Sequence, residues 1–405
     1  MAVVAQFRAE MSQGLSFLPG APGRDEFALL LAAGSSNLND QAPDEIRELL
    51  QRPMDWALLI SLGRRHGLIP ALYQSLAGPE NRVPSGAWQE LQSVHAENAR
   101  QALYLTQLLC KVLAHLASNG VAAIPYKGPV LAELLFQNVA LRQFSDIDIL
   151  VRPQEVSRAR IALRDLGFSG DLQLSPRQEQ AYLATGYEYA FDGMGKQSLI
   201  ELQWRILPRF YAVDFDMEGL FSRTRKISLA GAAMRTLSPD DLFLVLCAHS
   251  AKHLWARVAW LRDIARLAQS EEIDWLWVRK QARQLGIERI VRVTMALARD
   301  LLGAAIPIAL GEIASQGTEA QLALELRRHI LSGDFDDTES PAYFRQMMRL
   351  RERKADRAKF LARLAFTPSA GEWSAVPLPD ALFPVYRLLR PFRLLGKLRG
   401  WRPFG

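Results

Sequence analysis

Two acidic residues, Asp146 and Asp148, alternate with isoleucines in the middle of this chain. Because successive side chains of a β-strand point to opposite faces, both carboxylates project from one face while Ile147 and Ile149 enter a core. Neighbouring carboxylates repel each other unless a cation lies near them, and Mg²⁺ is usually held by one or two carboxylates together with substrate phosphates. The pattern therefore predicts a strand that supports metal-assisted phosphoryl or nucleotidyl transfer, although isolated Asp-x-Asp pairs are also common at solvated strand ends and in turns.

A Lys127-Gly128 pair precedes the acidic strand. The pair follows an apolar run, residues 121–126, which is predicted to be a buried strand, and Pro129 suits the first turn of a new helix. Glycine at such a junction lets the backbone approach a ligand closely, and the exposed N–H groups of a helix start attract phosphate. The pair thus indicates a phosphate-binding turn to which Lys127 adds a cation, but a tight turn with a solvated lysine explains the same residues equally well.

Two further strands are predicted after the acidic pair, over residues 187–191 and 198–206. Gly193 and Gly195 lie between them and indicate a hairpin. Glu201 is an acidic residue on a strand that is otherwise fit for burial. Such a glutamate is usually exposed and inert, but close to a metal-binding pair it becomes a candidate third carboxylate.

The order of these features is similar to that of the polymerase-beta-type nucleotidyltransferases, and the motifs resemble, more narrowly, an uncharacterised bacterial nucleotidyltransferase family. The matching stretches are Tyr126-Lys127-Gly128, residues 142–151 with the sequence RQFSDIDILV, and Glu201-Leu202-Gln203-Trp204. The chain departs from the family at Gln203, where histidine is common. Since a glutamine side chain neither titrates nor replaces a neutral imidazole as a metal ligand, this departure argues against proton transfer at that position.

The resemblance implies a two-metal site. Asp146 and Asp148 would hold two Mg²⁺ ions, for which Mn²⁺ is an alternative, and such a site stabilises both the entering and the leaving oxygen of an in-line displacement. Glu201 would bind the ion on the nucleophile side or, as the alternative, act as a general base. The three carboxylates are therefore the candidate catalytic and metal-binding residues.

The resemblance also implies a nucleoside triphosphate such as ATP as the donor. Its phosphates would be received by Gly128 and the following helix start, with Lys127 or Ser145 assisting, since catalysis of phosphoryl transfer is mostly positioning and charge neutralisation. Arg142 opens the motif that contains Ser145 and is a further candidate for binding the nucleotide.

His249 and His253 are one helical turn apart and share a face. Zinc is disfavoured because the glutamate of a His-Glu-x-x-His helix is missing. We expect instead that His249 lines the cleft, with Lys252 or Arg262 near the phosphates. Ordinary helix-packing histidines explain the pair equally well.

The 405 residues, 49% of them hydrophobic and 23% charged, predict a globular protein with sizeable cores. Helical patterns dominate, so we expect an α+β protein in which a small mixed-sheet transferase core is flanked by helical parts. The predicted divisions are an N-terminal helical region over residues 1–95, the core over 96–235, a helical domain over 236–335 and a basic helical tail over 336–405 that packs on the core.

The end of the chain carries six basic residues and no acid after Asp380: Arg387, Arg390, Arg393, Lys397, Arg399 and Arg402. Apolar residues are interleaved, so the tail could contact an anionic membrane surface or nucleic acid. We favour packing on the core, because the family resemblance extends to this tail. Pro391 and Gly396 argue against one continuous helix.

No signal peptide or transmembrane segment is recognisable, which favours the cytoplasm. The leading hypothesis is a metal-dependent nucleotidyltransferase that acts on a hydroxyl acceptor, which could belong to a peptide or protein, a sugar, a small molecule or RNA. Two alternatives stay open: a catalytically inactive nucleotide-binding or scaffold module, and a toxin-like transferase that acts on tRNA.

Overall fold

One mixed sheet lies between helical parts, and helices make up most of the protein. The computed structural model describes residues 23–36, 38, 42–78, 83–170, 172, 174–193, 199–270, 272–311, 317–333, 340–368, 373, 376 and 378–398. The predicted α+β class, mostly helical with a small mixed sheet, is therefore confirmed.

The N-terminal part is helical up to the sheet. Its helices are α1 (Arg24–Ser35), α2 (Ala42–Leu49), α3 (Trp56–His66), α4 (Ile69–Leu76) and the long α5 (Ser85–Ser118). Helix α3 begins at an Asp55 cap, whose carboxylate accepts from the Leu58 N–H, and ends at Gly67 with a positive φ of 72°. Leu105, Leu109, Val112 and Leu116 recur at three- and four-residue steps, a spacing that predicts a helix over residues 102–118 with these side chains on one face. All four are buried in α5.

The central sheet has five strands in the order β1-β2-β5-β4-β3. The strands are β1 (Ala123–Pro125), β2 (Asp146–Val151), β3 (Ser169–Gly170), β4 (Glu188–Asp192) and β5 (Leu199–Gln203). Strands β2 and β5 are parallel, and the other neighbouring pairs are antiparallel. The predicted β4–β5 hairpin is present as an antiparallel pair, while Gly195 lies outside the described residues.

The two faces of the sheet meet different surroundings. On one face, aliphatic and aromatic side chains such as Ile147, Leu202 and Trp204 are buried in a cluster with α5 and with α7 (Val156–Asp165). On the other face, the acidic side chains of β2 and β5 take the alternate positions. Leu150, the next residue of β2 on this face, and Tyr126, which follows β1, are buried in the helical core. The acidic residues thus lie where the sheet faces the helical part of the protein.

Helices and one hairpin complete the chain. They are α6 (Gly128–Phe136) and α8 (Pro176–Thr185) within the sheet region, α9 (Met217–Ser222), the β6–β7 hairpin (Arg225–Leu229 and Ala232–Thr236), α10 (Pro239–Lys252), α11 (Val258–Ala268), α12 (Trp275–Leu285), α13 (Glu288–Leu302), α14 (Thr318–Ser332), α15 (Pro341–Arg349), α16 (Lys354–Phe366) and α17 (Tyr386–Leu398). Helix α10 begins at Ser238, whose hydroxyl accepts from the Asp241 N–H, and carries Lys252 at its last position.

Helix α17 runs through both Pro391 and Gly396, so the prediction of an interrupted tail helix is wrong. Proline costs a helix one hydrogen bond, but tertiary contacts hold the flanking turns. The Tyr386 hydroxyl donates to the Val376 carbonyl oxygen at 2.6 Å, and Arg390 Nε donates to the Leu364 carbonyl oxygen of α16 at 2.9 Å.

The tail reaches the sheet region through two sets of contacts. Lys359 and Arg363 of α16 pair with Asp214, which follows the sheet, and the Trp373 ring packs edge-on against Tyr182 of α8. The four divisions expected from the sequence stay predictions. None of the described helices is both long and apolar enough to cross a membrane.

Candidate active site

Strand pairing brings the three predicted carboxylates together. In the parallel β2–β5 pair, Asp148 lies directly opposite Glu201, and Asp146 precedes Asp148 by two residues on the same face. Asp148 is 2% exposed, whereas Asp146 and Glu201 are half-buried. The sheet register therefore places three acidic side chains in one row that begins at the half-buried end of β2.

A fourth carboxylate, Glu188, was missed by the sequence reasoning. It lies opposite Gln203 in the antiparallel β4–β5 pair, so it shares the face of Glu201. Glu188 Oε2 accepts from Gln203 Nε2 at 3.3 Å. The hairpin prediction contained a usable signal, because pairing the two strands in register would have placed Glu188 beside this row.

Gln203 lies at the centre of the acidic row. Its amide Nε2 is 3.0 Å from Glu201 Oε2, 3.2 Å from Asp148 Oδ1 and 3.3 Å from Glu188 Oε2. The buried Tyr126 hydroxyl donates to Gln203 Oε1, which turns the NH₂ group towards the acids. An amide NH₂ has two hydrogens, so it cannot satisfy three carboxylates fully.

Lys127 forms a buried ion pair with Asp148. Its Nζ is 2.5 Å from Asp148 Oδ1, and the two side chains are 9% and 1% exposed. Burial by itself would lower the pKa of Lys127, but Asp148, Tyr126, Glu201 and Asp146 together outweigh burial and raise that pKa above its usual value. Lys127 is therefore a fixed cation within the acidic row rather than a solvated loop residue.

Negative charge is in excess around this row. Burial, then the Asp148 and Glu188 carboxylates, raise the pKa of Glu201 to about 8. Burial and Asp148 also raise the pKa of Asp146 above its ordinary value. A raised carboxyl pKa means that the charged form is disfavoured where it stands, and an added cation would relieve that cost.

Gly128 begins α6 directly beside the acidic strand. Its φ is +52°, and a Cβ built on it would lie 3.0 Å from the Asp146 backbone oxygen. Lys127, the N-cap residue, makes no side-chain capping bond to the helix. Ser145 is exposed in the loop before β2. The start of α6, Ser145 and Asp146 therefore lie at the same end of the site, as the predicted phosphate-binding role requires.

Helix α10 contributes Lys252 beside Tyr187 and near Glu188. Lys252 Nζ donates to the Tyr187 hydroxyl at 2.7 Å, and burial lowers the pKa of Lys252. Behind it, the Tyr343 hydroxyl of α15 donates to the Lys252 carbonyl oxygen at 2.7 Å. Glu188 lies close enough to Lys252 to oppose the lowering of its pKa. Lys252 and Tyr187 thus border the β4 end of the acidic row.

His249 packs against two aromatic rings. The centroids of His253 and Trp260 are 4.9 Å and 5.2 Å from that of His249. Burial, followed by the charge of Lys127, lowers the pKa of His249 well below its usual value, and burial lowers that of His253 to about 3. Both rings are neutral near pH 7, so His249 could contact a nucleotide only as a neutral hydrogen-bonding group.

Arg142 is held in a buried ion pair with Asp263 of α11. The Arg142 Nε to Asp263 Oδ2 distance is 2.9 Å, and both residues are less than 10% exposed. Arg262 stacks on the Phe136 ring, with 4.6 Å between the guanidinium carbon and the ring centroid. These contacts join α11 to the loop before β2 and to α6, and nucleotide binding by Arg142 stays a prediction.

Within the described part of the chain, no three His, Cys, Asp or Glu side chains are grouped as a ready metal site. Asp148 Oδ1 already accepts hydrogen bonds from Lys127 Nζ and Gln203 Nε2. Metal binding by Asp146, Asp148 and Glu201 therefore stays a prediction, and it requires these side chains to exchange partners.

Comparison with family models identifies a protein family that matches most of the chain. A family model described as an uncharacterised nucleotidyltransferase matches residues 52–303. Among solved structures, that of the antibiotic-resistance factor ANT(2'')-Ia is 17% identical in sequence, over 50% of this chain and 95% of that chain, with a TM-score of 0.30. A TM-score of 0.30 is too low for this similarity to support a conclusion about fold or function. No curated protein matches the chain.

Proposed function

Because the chain belongs to the uncharacterised nucleotidyltransferase family, we propose that it transfers a nucleotidyl or related phosphoryl group from a nucleoside triphosphate to an acceptor hydroxyl. The proposal assigns two divalent cations, Mg²⁺ or Mn²⁺, to Asp146, Asp148 and Glu201. The observation that carries it is the sheet register, which sets Asp148 opposite Glu201 with Asp146 on the same face.

The residues of the row fit a hard divalent cation. Carboxylate oxygens are the ligands such ions prefer. The pKa values of Asp146 and Glu201 are raised first by burial and then by neighbouring carboxylates, so a bound cation would favour their charged forms. Bound divalent cations would neutralise charge on the entering and leaving oxygens. Burial, then Asp148 and Glu188, raise the pKa of Glu201, so a bound cation would favour its charged form; the role of general base stays the alternative for this residue.

The other residues would orient the two substrates from opposite ends of the row. Gly128 and the start of α6 present backbone N–H groups to phosphate, and Lys127 adds a positive charge at that end. At the other end, Tyr187, Glu188 and Lys252 border the side where the acceptor would enter. The geometry thus supports a donor at the β1–β2 end and an acceptor at the β4 end.

The test is transfer of label from donor to acceptor. Each α-labelled nucleoside triphosphate is incubated with the protein, Mg²⁺ or Mn²⁺ and a cell extract, and the labelled product is identified as peptide, sugar, small molecule or RNA. Asp146→Asn keeps the side-chain shape and should reduce labelling by at least about 100-fold, because it removes a charge that binds the cations. An unchanged far-UV circular dichroism spectrum is the control for folding. Labelling by this variant at the parent rate would refute the assignment.

An inactive nucleotide-binding module is the second candidate, and Gln203 is the observation that favours it. Its amide is hydrogen-bonded within the acidic row, where the resembling family commonly has histidine. Nucleotide binding without transfer to any acceptor in the extract would support this candidate. The cytoplasm stays the expected location, and contact of the basic tail with a membrane or nucleic acid stays a prediction.

A further inference from the structure

Asp148 is already engaged by two donors of the chain itself. Lys127 Nζ and Gln203 Nε2 lie 2.5 Å and 3.2 Å from the same oxygen, Oδ1. All three residues are buried, with relative exposures of 8% or less. A divalent cation can bind this oxygen only by displacing an ammonium group that is held at close range.

Displacement would leave Lys127 charged and buried beside its former partner. A buried charge without a partner is costly, so an isolated cation would gain little by taking Asp148. Lys127 is also the residue immediately before α6, next to Gly128 and the backbone N–H groups of the helix start. An anion that arrives there would give Lys127 a new partner at the moment when Asp148 is taken.

We propose that Lys127 makes cation binding at Asp148 depend on a polyphosphate that binds at the start of α6. The inference rests on the function proposed above and specifies how its donor is selected. In the free protein, Lys127 and Gln203 keep Asp148 neutralised. A polyphosphate that enters with its cation takes over Lys127 and releases Asp148. The site therefore selects a metal–polyphosphate complex over either component alone.

The inference predicts opposite effects of one substitution on two ligands. In Lys127→Met, Mn²⁺ alone should bind at least about tenfold more tightly than in the parent, within the usual range of coupling between sites. Mn²⁺–tripolyphosphate should bind at least about tenfold more weakly, because the anion loses its partner. Electron paramagnetic resonance of free Mn²⁺ measures the first affinity, and calorimetry with preformed Mn²⁺–tripolyphosphate measures the second. A residue with only a structural role would not move the two affinities in opposite directions.

Lys359→Met is the matched control, since Lys359 also pairs with a carboxylate, that of Asp214 at 2.9 Å, but lies outside the acidic row. Its Mn²⁺ affinity should change less than about threefold. Equal tightening in both variants would mean that only the overall positive charge matters, and would overturn the inference. Lys127→Gln, which keeps a donor without the charge, should tighten Mn²⁺ binding in the same direction and serves if the Met variant does not fold.

The outcomes separate the inference from the proposed function. If Lys127→Met and Lys127→Gln bind Mn²⁺ no more tightly than the parent, while the parent binds Mn²⁺–tripolyphosphate, only the role of Lys127 is overturned. If neither parent nor variants bind Mn²⁺ with or without tripolyphosphate, the metal-dependent function itself is overturned.

Discussion

The ion pair between Lys127 and Asp148 makes a prediction about stability that is independent of any ligand. Both side chains are less than 10% exposed, so removing one charge leaves the other buried without its partner. We expect Asp148→Asn or Lys127→Met alone to lower the free energy of unfolding by about 3 kcal/mol, the lower end for broken buried pairs, because Gln203 still contacts position 148.

The double variant removes both charges and should lose only about 2 kcal/mol, since no unpaired charge remains. The coupling free energy between the two sites is then about 4 kcal/mol, which is the sum of the single losses minus the loss in the double variant. Urea denaturation followed by circular dichroism, in the presence of a chelator, measures all four proteins.

An exposed pair in the same chain provides the control. Arg52 and Glu48 are 3.1 Å apart, but their side chains are 45% and 69% exposed, so their coupling should stay below about 1 kcal/mol. If the losses of the two single variants at Lys127 and Asp148 simply add in the double variant, the pair is not coupled. Neither buried charge would then depend on the other for its stability, contrary to the prediction.

Two further predictions concern backbone geometry and pH. Gly128→Ala should lower the free energy of unfolding by about 2 kcal/mol, and Gly231→Ala should lower it by about 1 kcal/mol. Both glycines have a positive φ, but only at Gly128 would an added Cβ meet backbone, 3.0 Å from the Asp146 oxygen. Thermal unfolding measures both losses, and equal losses would contradict this. Burial and nearby arginines lower the pKa of His66 from 6.5 to about 4. As pH falls below 6.5, the imidazole is therefore protonated in the unfolded chain but stays neutral in the folded protein. When pH is lowered from 7.5 to 4.5, this residue should decrease the free energy of unfolding by about 2.5 kcal/mol. His66→Leu should remove that decrease. If parent and variant differed in unfolding free energy by the same amount at every pH, the prediction would be refuted.

Several features of the site could be predicted from the sequence because they depend on local periodicity. Alternation along a strand is a property of the backbone, so Asp146 and Asp148 had to share a face once Ile147 and Ile149 were buried. The positive φ of Gly128 at a strand-to-helix junction is likewise a local requirement. The stripe of apolar residues in α5 identified its buried face, although the sequence reasoning began that helix at residue 102 instead of Ser85.

Other features follow from contacts between distant segments. Glu188 joins the acidic row only through the register of β4 with β5, and no short motif contains it. The Lys127-Gly128 motif alone is equally consistent with a solvated lysine. In the fold, Lys127 is a buried cation because the pairing of β1 with β2 places it against Asp148. The uninterrupted α17 depends on the contact of Arg390 with α16, which no rule about proline in an isolated helix includes.

The order of amino acids is enough to predict which residue types lie on each face of each strand, and hence that an acidic face exists, because side-chain direction follows from the backbone period. How many acids share that face, and which cation neutralises them, depends on the folded protein. Charge–charge energies vary with the distance and burial of groups that are far apart in the chain. These quantities are set by strand register and helix packing and are not encoded in any single motif.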